Sequence, residues 1–175
     1  PHGIDKGPMV PRLRELLNTP SGTIPVAHPY LLADLPRLAE RLDRPSSGLV
    51  LTSRRHVRSN NSWMHNVEVL VKGKDRCTLQ VHPDDAARLG LVDGGPAEVA
   101  SRIGKVVAPV EVTDEILAGV VSLPHGWGHD DPAADLAVAA AHAGVNCNVL
   151  TDDGALDPLS GNAVLNGVPV TVTPA

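Results

Sequence analysis

Several short polar segments in this chain could bind a ligand, and the first follows an apolar run. Thr52-Ser53-Arg54 places two hydroxyl groups and a guanidinium directly after Leu49-Val50-Leu51. Hydroxyl groups and free backbone N–H groups suit phosphate or heterocycle acceptors, and a guanidinium binds phosphate with two parallel hydrogen bonds. Arg55, His56 and Arg58 add positive charge. The residues alone favour a solvated basic loop, and the alternative interpretation is an anion-recognition site.

The second segment is Asn61-Ser62-Trp63-Met64-His65-Asn66. Its amide, hydroxyl and imidazole groups supply both donors and acceptors, which suits the edge of a heterocycle. Trp63 and Met64 could pack against a flat ring. The alternative is a capped surface loop in which Trp63 plugs the end of the fold. Ser62 and His65 favour the ligand-binding interpretation.

The third segment, His125-Gly126-Trp127-Gly128-His129, contains two histidines at a spacing that would suit a metal only on a helix. Pro124 and the two glycines argue against a helix, so no metal site is predicted. Glycine does allow the backbone to approach a ligand closely. The two glycines therefore make this segment a candidate for close backbone contact with an organic ligand.

The fourth segment, Asn146-Cys147-Asn148, is followed four residues later by Asp152. An amide can donate and accept at once, and a carboxylate accepts from ring N–H groups. The alternative for Asp152-Asp153-Gly154 is a simple turn. Cys147 is interpreted as a small buried residue, because neither cysteine belongs to a C-x-x-C pair of the kind that binds zinc or an iron–sulfur cluster.

Short β-strands must position these segments. Apolar runs bounded by turn residues predict strands, a helical turn follows at Pro83 to Leu89, and Ala133 to Ala143 is predicted to be helical. Many short strands with one-turn helices favour a barrel. A strand–acidic turn–glycine pattern occurs after Val81 and again after Val112, which suggests a two-fold repeat. The predicted strands are Leu49–Leu51, Cys77–Val81, Ala97–Ser101, Lys105–Val112, Val120–Leu123, and a final hairpin of Val164–Leu165 with Val168–Val172 across Asn166-Gly167.

Residues 1–47 have a different composition from the rest, since they carry eight of the sixteen prolines. Proline at this density interrupts regular structure repeatedly. The pattern predicts an extended arm with a single short helix, Asp34 to Leu42, and a linker at Arg44-Pro45-Ser46-Ser47-Gly48.

Composition bounds the possible function. The chain has 175 residues, a formal net charge of -5 and 2% aromatic residues, so its core must be aliphatic. The acidic balance argues against a nucleic-acid partner. The sequence has no run of 18 apolar residues that would predict a membrane segment, and its first residues do not resemble a signal peptide. A cytoplasmic location is the default expectation for the parent enzyme.

The ordered combination of segments across residues 49–174 resembles the molybdopterin dinucleotide-binding domain at the C-terminus of the dimethyl-sulfoxide-reductase and formate-dehydrogenase superfamily. Each segment alone is weak, but their order is specific. Besides the four segments above, the matching landmarks are Leu79-Gln80-Val81-His82-Pro83-Asp84-Asp85-Ala86, Leu89-Gly90-Leu91-Val92-Asp93-Gly94, Val112-Thr113-Asp114-Glu115, Gly119-Val120-Val121 and Val168-Pro169-Val170.

The resemblance implies a mainly β fold, a six-stranded double-psi β-barrel with short helices and a Pro-rich N-terminal arm. It divides the chain into an arm of residues 1–47 from a preceding domain and a barrel of residues 48–175. It implies a bis-molybdopterin guanine dinucleotide cofactor carrying molybdenum or tungsten. The residues that it places at the cofactor are Thr52, Ser53, Arg54, Arg55, Ser62, Trp63, His65, His125, Gly126, Trp127, Asn146, Asn148 and Asp152.

The implied function is positional: the barrel holds the pterin by hydrogen bonds while the cofactor performs the redox chemistry. The implied partners are the cofactor and the preceding catalytic domains of the same polypeptide. No residue of this chain is expected to be catalytic, and the chain alone is expected to have no turnover.

Three alternatives were weighed. The principal one is a protein-interaction double-psi barrel without a cofactor. A metal hydrolase using His125, His129 and His142 lacks a recognisable ligand spacing. A self-processing decarboxylase would need a Gly-Ser cleavage site, and the chain contains no Gly-Ser dipeptide.

Overall fold

The computed structural model describes residues 2–44 and 48–175, and the chain comprises two compact units, Pro1–Arg44 and Pro45–Ala175. The middle of the predicted linker, residues 45–47, lies outside the described residues. The assignment of residues 1–47 to an arm from a preceding domain, and of residues 48–175 to a separate barrel domain, stays a prediction. No helix in residues 2–44 or 48–175 combines the length and apolar character needed to span a bilayer.

The first unit contains three short helices, α1 (Leu13–Leu16), α2 (Pro29–Leu32) and α3 (Leu35–Asp43). The sequence predicted only α3, within one residue at each end. Helix α2 was missed, although His28 caps it by accepting a hydrogen bond from the Tyr30 N–H, 3.2 Å from the ring Nδ1. None of these three described helices buries a residue, so they do not build an apolar core within this unit.

The second unit is a closed β-barrel, and its six described strands lie in the order β1-β5-β2-β4-β3-β6. This confirms the prediction of a mainly β, six-stranded double-psi barrel with short helices. The strands are β1 (Leu49–Arg54), β2 (Leu79–Val81), β3 (Pro96–Ala100), β4 (Lys105–Val112), β5 (Val120–Pro124) and β6 (Val168–Pro174).

The barrel contains two parallel strand pairs, β1 with β5 and β2 with β4. The remaining pairs, β1–β6, β2–β5, β3–β4 and β3–β6, are antiparallel. If β1 is exchanged with β4, β2 with β5 and β3 with β6, every strand keeps the same kind of neighbours around the barrel. The barrel therefore has two-fold topology, but the sequence repeat after Val81 and Val112 was the wrong indicator of it. That repeat relates the β2–β3 connection to β4–β5, whereas the barrel order relates β2–β3 to β5–β6.

Helix α5 (Pro83–Leu89), which follows α4 (Glu68–Val71) in the chain, confirms the helical turn predicted at Pro83 to Leu89. His82 Nδ1 accepts a hydrogen bond from the Asp84 N–H at 3.2 Å, and Pro83 occupies the first helical position. Asp85 is buried and accepts hydrogen bonds from Arg88 at 2.6 Å and from the Gly119 N–H at 2.6 Å. Asp85 thus ties α5 to the turn before β5.

The predicted helix from Ala133 to Ala143 is wrong as a continuous element. A 3₁₀ helix (Pro132–Ala134) is followed by Asp135 at φ 48°, and a separate helix α6 occupies Ala137–Ala141. The left-handed conformation of Asp135 cannot continue a right-handed helix, so the segment breaks there.

The predicted terminal hairpin is also wrong. β6 begins at Val168 and pairs with Leu51 of β1, and the Gly167 N–H donates to the Leu51 carbonyl at 2.9 Å. Ala163 forms only an isolated bridge with Leu156. The Asn-Gly pair therefore leads the chain into a long-range pairing with β1, which local turn chemistry does not encode.

The barrel interior is aliphatic, as the composition predicted. Side chains alternate between interior and exterior along the strands, so that every second residue is buried over Leu49–Leu51 in β1 and over Val168–Val172 in β6. The residues with no measurable exposure are Leu79, Val81, Ala97, Val99, Val121, Leu123 and Leu150.

Candidate functional site

A cavity of about 420 Å³ opens where β1 and β5 end. Because the two strands are parallel and Arg54 pairs with Pro124, their carboxyl ends meet at the same edge of the barrel. The cavity is lined by both polar and apolar side chains. Its lining residues are Leu51, Ser53, Arg55, His125, Gly126, Cys147, Asn148, Thr151, Leu165 and Asn166. Ser53, Arg55, His125, Gly126 and Asn148 were predicted from the sequence.

Asn166 organises the β1 side of the cavity, and the sequence analysis missed it. Its Oδ1 accepts hydrogen bonds from the Ser53 N–H at 2.8 Å, the Ser53 hydroxyl at 3.2 Å and the Thr52 hydroxyl at 3.0 Å. A backbone N–H can only donate, so the side-chain oxygen must face Ser53 and the amide NH₂ must face away. Asn166 therefore brings an amide donor to the cavity and holds Thr52 and Ser53 in place.

Arg55, Asn61 and His125 form a network at the opposite side. Asn61 Oδ1 accepts a hydrogen bond from Arg55 and lies 2.8 Å from His125 Nε2. Since the guanidinium can only donate, the Asn61 atom is the oxygen, and His125 must carry a proton on Nε2. The network fixes the His125 ring while the Arg55 side chain stays exposed.

Gly126 is required here by packing. It has φ +87°, and a Cβ at this position would overlap the Asn61 carbonyl. The glycine therefore allows the backbones of the second and third polar segments to touch. The sequence analysis assigned that close approach to a ligand.

The two asparagines of the fourth segment have different roles. Asn146 Oδ1 accepts from the Asn148 N–H at 3.0 Å and caps the 3₁₀ helix Cys147–Leu150. Asn148 is exposed and lines the cavity. The structure thus brings Asn148, rather than Asn146, to the cavity wall.

Arg54 turns into the protein. Its guanidinium donates to the Ser122 carbonyl at 2.6 Å, the Thr78 carbonyl at 2.8 Å and the Thr78 hydroxyl at 2.9 Å. Burial lowers the pKa of Arg54, and the nearby Glu111 carboxylate opposes that shift. These bonds tie β1 to β2 and β5, so the assignment of Arg54 to the cofactor stays a prediction that this arrangement does not favour.

His65 and Trp127 are buried beside each other, away from the cavity wall. Their ring centroids are 4.1 Å apart, and His65 Nδ1 lies 2.6 Å from His129 Nε2. Burial lowers the pKa of His65, and the neighbouring His129 lowers it further. The pair connects the second polar segment to the third.

Trp63 is 81% exposed, which excludes the alternative in which it plugs the barrel. Ser62 is also exposed. Both side chains are accessible to a ligand, although neither lines the cavity.

Asp152 lies outside the cavity. Its carboxylate forms two hydrogen bonds with Arg102, at 2.7 and 2.6 Å, and accepts a third from the Gly154 N–H at 2.9 Å. The hydrogen bond from Arg102 lowers the pKa of Asp152. The Gly154 contact is the turn that the alternative interpretation proposed, and Asp152 lines a separate pocket of about 170 Å³.

Thr151 and Leu165 are further cavity residues that the sequence analysis did not select. Thr151 directly precedes the selected Asp152, and Leu165 was assigned to a strand. Within residues 2–44 and 48–175, no group of three histidine, cysteine or acidic side chains could hold a metal ion. The cavity instead presents hydroxyl, amide, imidazole and guanidinium groups, which suit a polar, anionic organic ligand.

Fold and cavity define a barrel that presents hydrogen-bonding loops to a ligand, and comparison with known families identifies it. The family model described as the molydopterin dinucleotide binding domain matches residues 49–169. The chain belongs to this family, and its barrel is a molybdopterin dinucleotide-binding domain.

Curated relatives are larger enzymes. The chain is 30% identical over 135 residues to the dimethyl sulfoxide/trimethylamine N-oxide reductase of Rhodobacter capsulatus, a match covering 65% of this chain and 16% of that protein. It is 34% identical over 91 residues to the biotin sulfoxide reductase of Cereibacter sphaeroides, covering 50% of this chain and 12% of that protein. The chain therefore spans a small part of the length of these relatives.

Among solved structures, the acetylene hydratase from Pelobacter acetylenicus superposes with a TM-score of 0.60 at 24% identity. The match covers 82% of this chain and 20% of that structure. This structural similarity supports the barrel fold described for this chain.

Proposed function

We propose that this barrel holds the guanine dinucleotide form of molybdopterin, with molybdenum or tungsten, inside a longer oxidoreductase. The observation that carries the proposal is the cavity at the carboxyl ends of β1 and β5, lined by Ser53, Arg55, His125 and Asn148. The preceding catalytic domains of the same polypeptide complete the site. Family membership supports the pterin, and the named relatives support the redox context.

The cavity residues fit such a cofactor. A pterin edge carries N–H donors and ring acceptors, and the Asn166 amide, the Ser53 hydroxyl and the Asn148 side chain offer complementary groups. A dinucleotide also carries a diphosphate, for which Arg55 provides an exposed guanidinium. When bound, the cofactor supplies the oxygen-atom or hydride-equivalent transfer.

The residues of this chain bind and orient. Asn61 accepts a hydrogen bond from His125 Nε2–H, and Asn166 accepts one from the Ser53 N–H. Both parts of the cavity wall are therefore ordered before the ligand binds. Preorganised partners lower the entropic cost of binding. Exposed Trp63 and Ser62 are proposed as outer contacts, while Thr52, Asn146, Gly126 and His65 act by holding the binding loops.

The test is the cofactor content of the polypeptide that carries this barrel, purified without oxygen. We expect about one molybdenum or tungsten atom per chain, a fluorescent pterin after oxidation, and GMP after acid hydrolysis. Arg55→Ala and Asn148→Ala should each retain several-fold less pterin through gel filtration, because each removes a hydrogen-bonding partner of the ligand.

The matched controls are Arg41→Ala and Asn162→Ala, which change exposed residues outside the cavity. They should retain the wild-type pterin content. Protein free of metal and pterin, from cells that load a known molybdoenzyme in parallel, would refute the proposal and favour the protein-interaction barrel.

The 175-residue chain by itself is proposed to have no turnover. The check is an assay of the purified chain with a reduced viologen dye and a sulfoxide or N-oxide acceptor. Dye oxidation above the protein-free rate would contradict this part of the proposal.

A further inference from the structure

A second pocket lies between the segment after β1 and the buried Trp127. It shares no lining residue with the cavity described above. Its volume of about 10 Å³ is room for one water-sized occupant. The lining residues are His56, Arg58, Ser59, His65, Leu70, Val71, Arg76 and Trp127.

Two residues that line this pocket each have a buried ring nitrogen without a hydrogen-bond partner among the described residues: His65 Nε2 and Trp127 Nε1. His65 is 2% exposed and Trp127 is 7% exposed, so bulk water does not satisfy them. A buried polar group without a partner is energetically costly. Such a pair indicates an occupant that accepts hydrogen bonds, because the indole N–H can only donate.

The contact between His65 and His129 allows His65 to be the second donor. A neutral imidazole carries one N–H, and the two rings meet through His65 Nδ1 and His129 Nε2 at 2.6 Å. When His129 donates in this contact, the single proton of His65 lies on Nε2, the buried nitrogen without a partner. An acceptor in the pocket selects that tautomer, and His65 and Trp127 then both donate to it.

The charges around the pocket are positive. Arg58 and Arg76 both line it, and in the parts of the chain that the structure describes no carboxylate does. Arg76 makes only long hydrogen bonds, 3.3 Å to the Val71 carbonyl and 3.4 Å to the Lys72 carbonyl. Burial lowers the pKa of His56, and Arg76, Arg54 and Arg58 lower it further, which reflects the same positive field.

We propose that this pocket binds a single monatomic anion of halide size, held by the N–H groups of Trp127 and His65 and by the charges of Arg58 and Arg76. The small volume favours a monatomic anion over sulfate or phosphate, and the positive field favours an anion over water. This site is separate from the proposed cofactor site. Its occupant would fix Arg55 and His125 indirectly, because these residues are close in sequence to His56 and Trp127.

The fluorescence of Trp127 provides a direct test on the full chain. In a Trp63→Phe background, Trp127 is the only tryptophan. We expect its emission to change with added chloride along a saturating curve. Sodium sulfate at matched ionic strength should leave the emission unchanged. A linear response, or an equal response to sulfate, would overturn the proposal.

Two variants assign the site. Arg58→Ala should raise the chloride concentration at half-maximal emission change by about tenfold, the usual loss for one charge-assisted interaction. Arg41→Ala should leave this concentration unchanged. Chloride should also raise the thermal midpoint of Trp63→Phe but not that of Trp127→Phe. An equal chloride shift in both tryptophan variants would contradict the role of the indole N–H.

Diffraction from crystals of the unmodified chain grown in bromide does not depend on any variant folding. An anomalous peak within hydrogen-bonding distance of Trp127 Nε1 and His65 Nε2 is expected. A pocket containing water without anomalous signal, at bromide concentrations that saturate the fluorescence change, would overturn the assignment.

Discussion

The open cavity and the buried contacts behind it use polar side chains from the same segments in opposite ways. Arg55 and Asn148 are exposed at the cavity. Arg54, one residue earlier, is hydrogen-bonded to Ser122 in β5 and to Thr78, directly before β2, and His65 is buried beside Trp127. A polar residue near a binding site can therefore either meet the ligand or hold the loop that does. Long-range contacts decide between these roles.

The largest loss of stability should come from truncating a core side chain on which both the cavity and the buried contacts depend. Leu123 lies in β5 directly before the cavity and is 0% exposed, so Leu123→Ala should lower the free energy of unfolding by about 3 kcal/mol. Leu117→Ala, at a residue that is 78% exposed, is the control and should change it by less than about 0.5 kcal/mol. Urea unfolding measures both, and similar losses would show that Leu123 does not support the barrel.

The next effect separates two adjacent arginines. Arg54→Ala should cost about 2 kcal/mol of unfolding free energy, because it leaves buried carbonyl groups without their charged donor. Arg55→Ala should cost little stability and reduce pterin retention instead. Urea unfolding and cofactor content, measured on both variants, test the comparison. Equal losses of stability in the two variants would contradict the proposed difference between Arg54 and Arg55.

Much of the barrel could be predicted because short apolar runs bounded by glycine and proline determine where strands form. β4 was predicted at its observed ends, and β1, β2, β3 and β5 within a few residues. The orientation of Arg54 could not be predicted, since its partners Ser122 and Thr78 come from distant parts of the chain. The same holds for Asn166, whose neighbouring glycine suggested a turn while its side chain bonds across 113 positions to Ser53.

A smaller effect depends on pH. Burial alone would raise the pKa of Asp85, but hydrogen bonds from Arg88 and the Gly119 N–H outweigh it, so the pKa lies below its ordinary value of 3.8. The carboxylate therefore stabilises the fold above that value, and this contribution is lost as pH falls through the lowered pKa. Asp85→Asn should cost about 1 kcal/mol at neutral pH.

The measurement is the unfolding free energy of wild type and Asp85→Asn from pH 7 to pH 2. The two curves should converge at the acid end. Asp114→Asn, at an exposed acidic residue, should follow wild type throughout. A constant difference between wild type and Asp85→Asn down to pH 2 would contradict the lowered pKa.

The smallest stability effect is expected at Asn166, which is exposed. Asn166→Ala should cost about 0.5 kcal/mol, because water can reach the freed Ser53 N–H. Its effect on pterin retention should be larger, since it frees the Ser53 side of the cavity. Asn162→Ala is the control for both measurements. Wild-type retention with Asn166→Ala would remove Asn166 from the proposed site.

The barrel order has a consequence for how the protein is made. Each of β1, β2 and β3 pairs only with strands from the group β4, β5 and β6 among the described residues. A nascent chain ending before Lys105 would have no partner for any of its strands, and β1 stays incompletely paired until β6 emerges. Such non-local pairing slows folding and leaves strand edges open during synthesis. Ribosome-bound chains of this domain should therefore remain protease-sensitive until nearly the last residue has emerged.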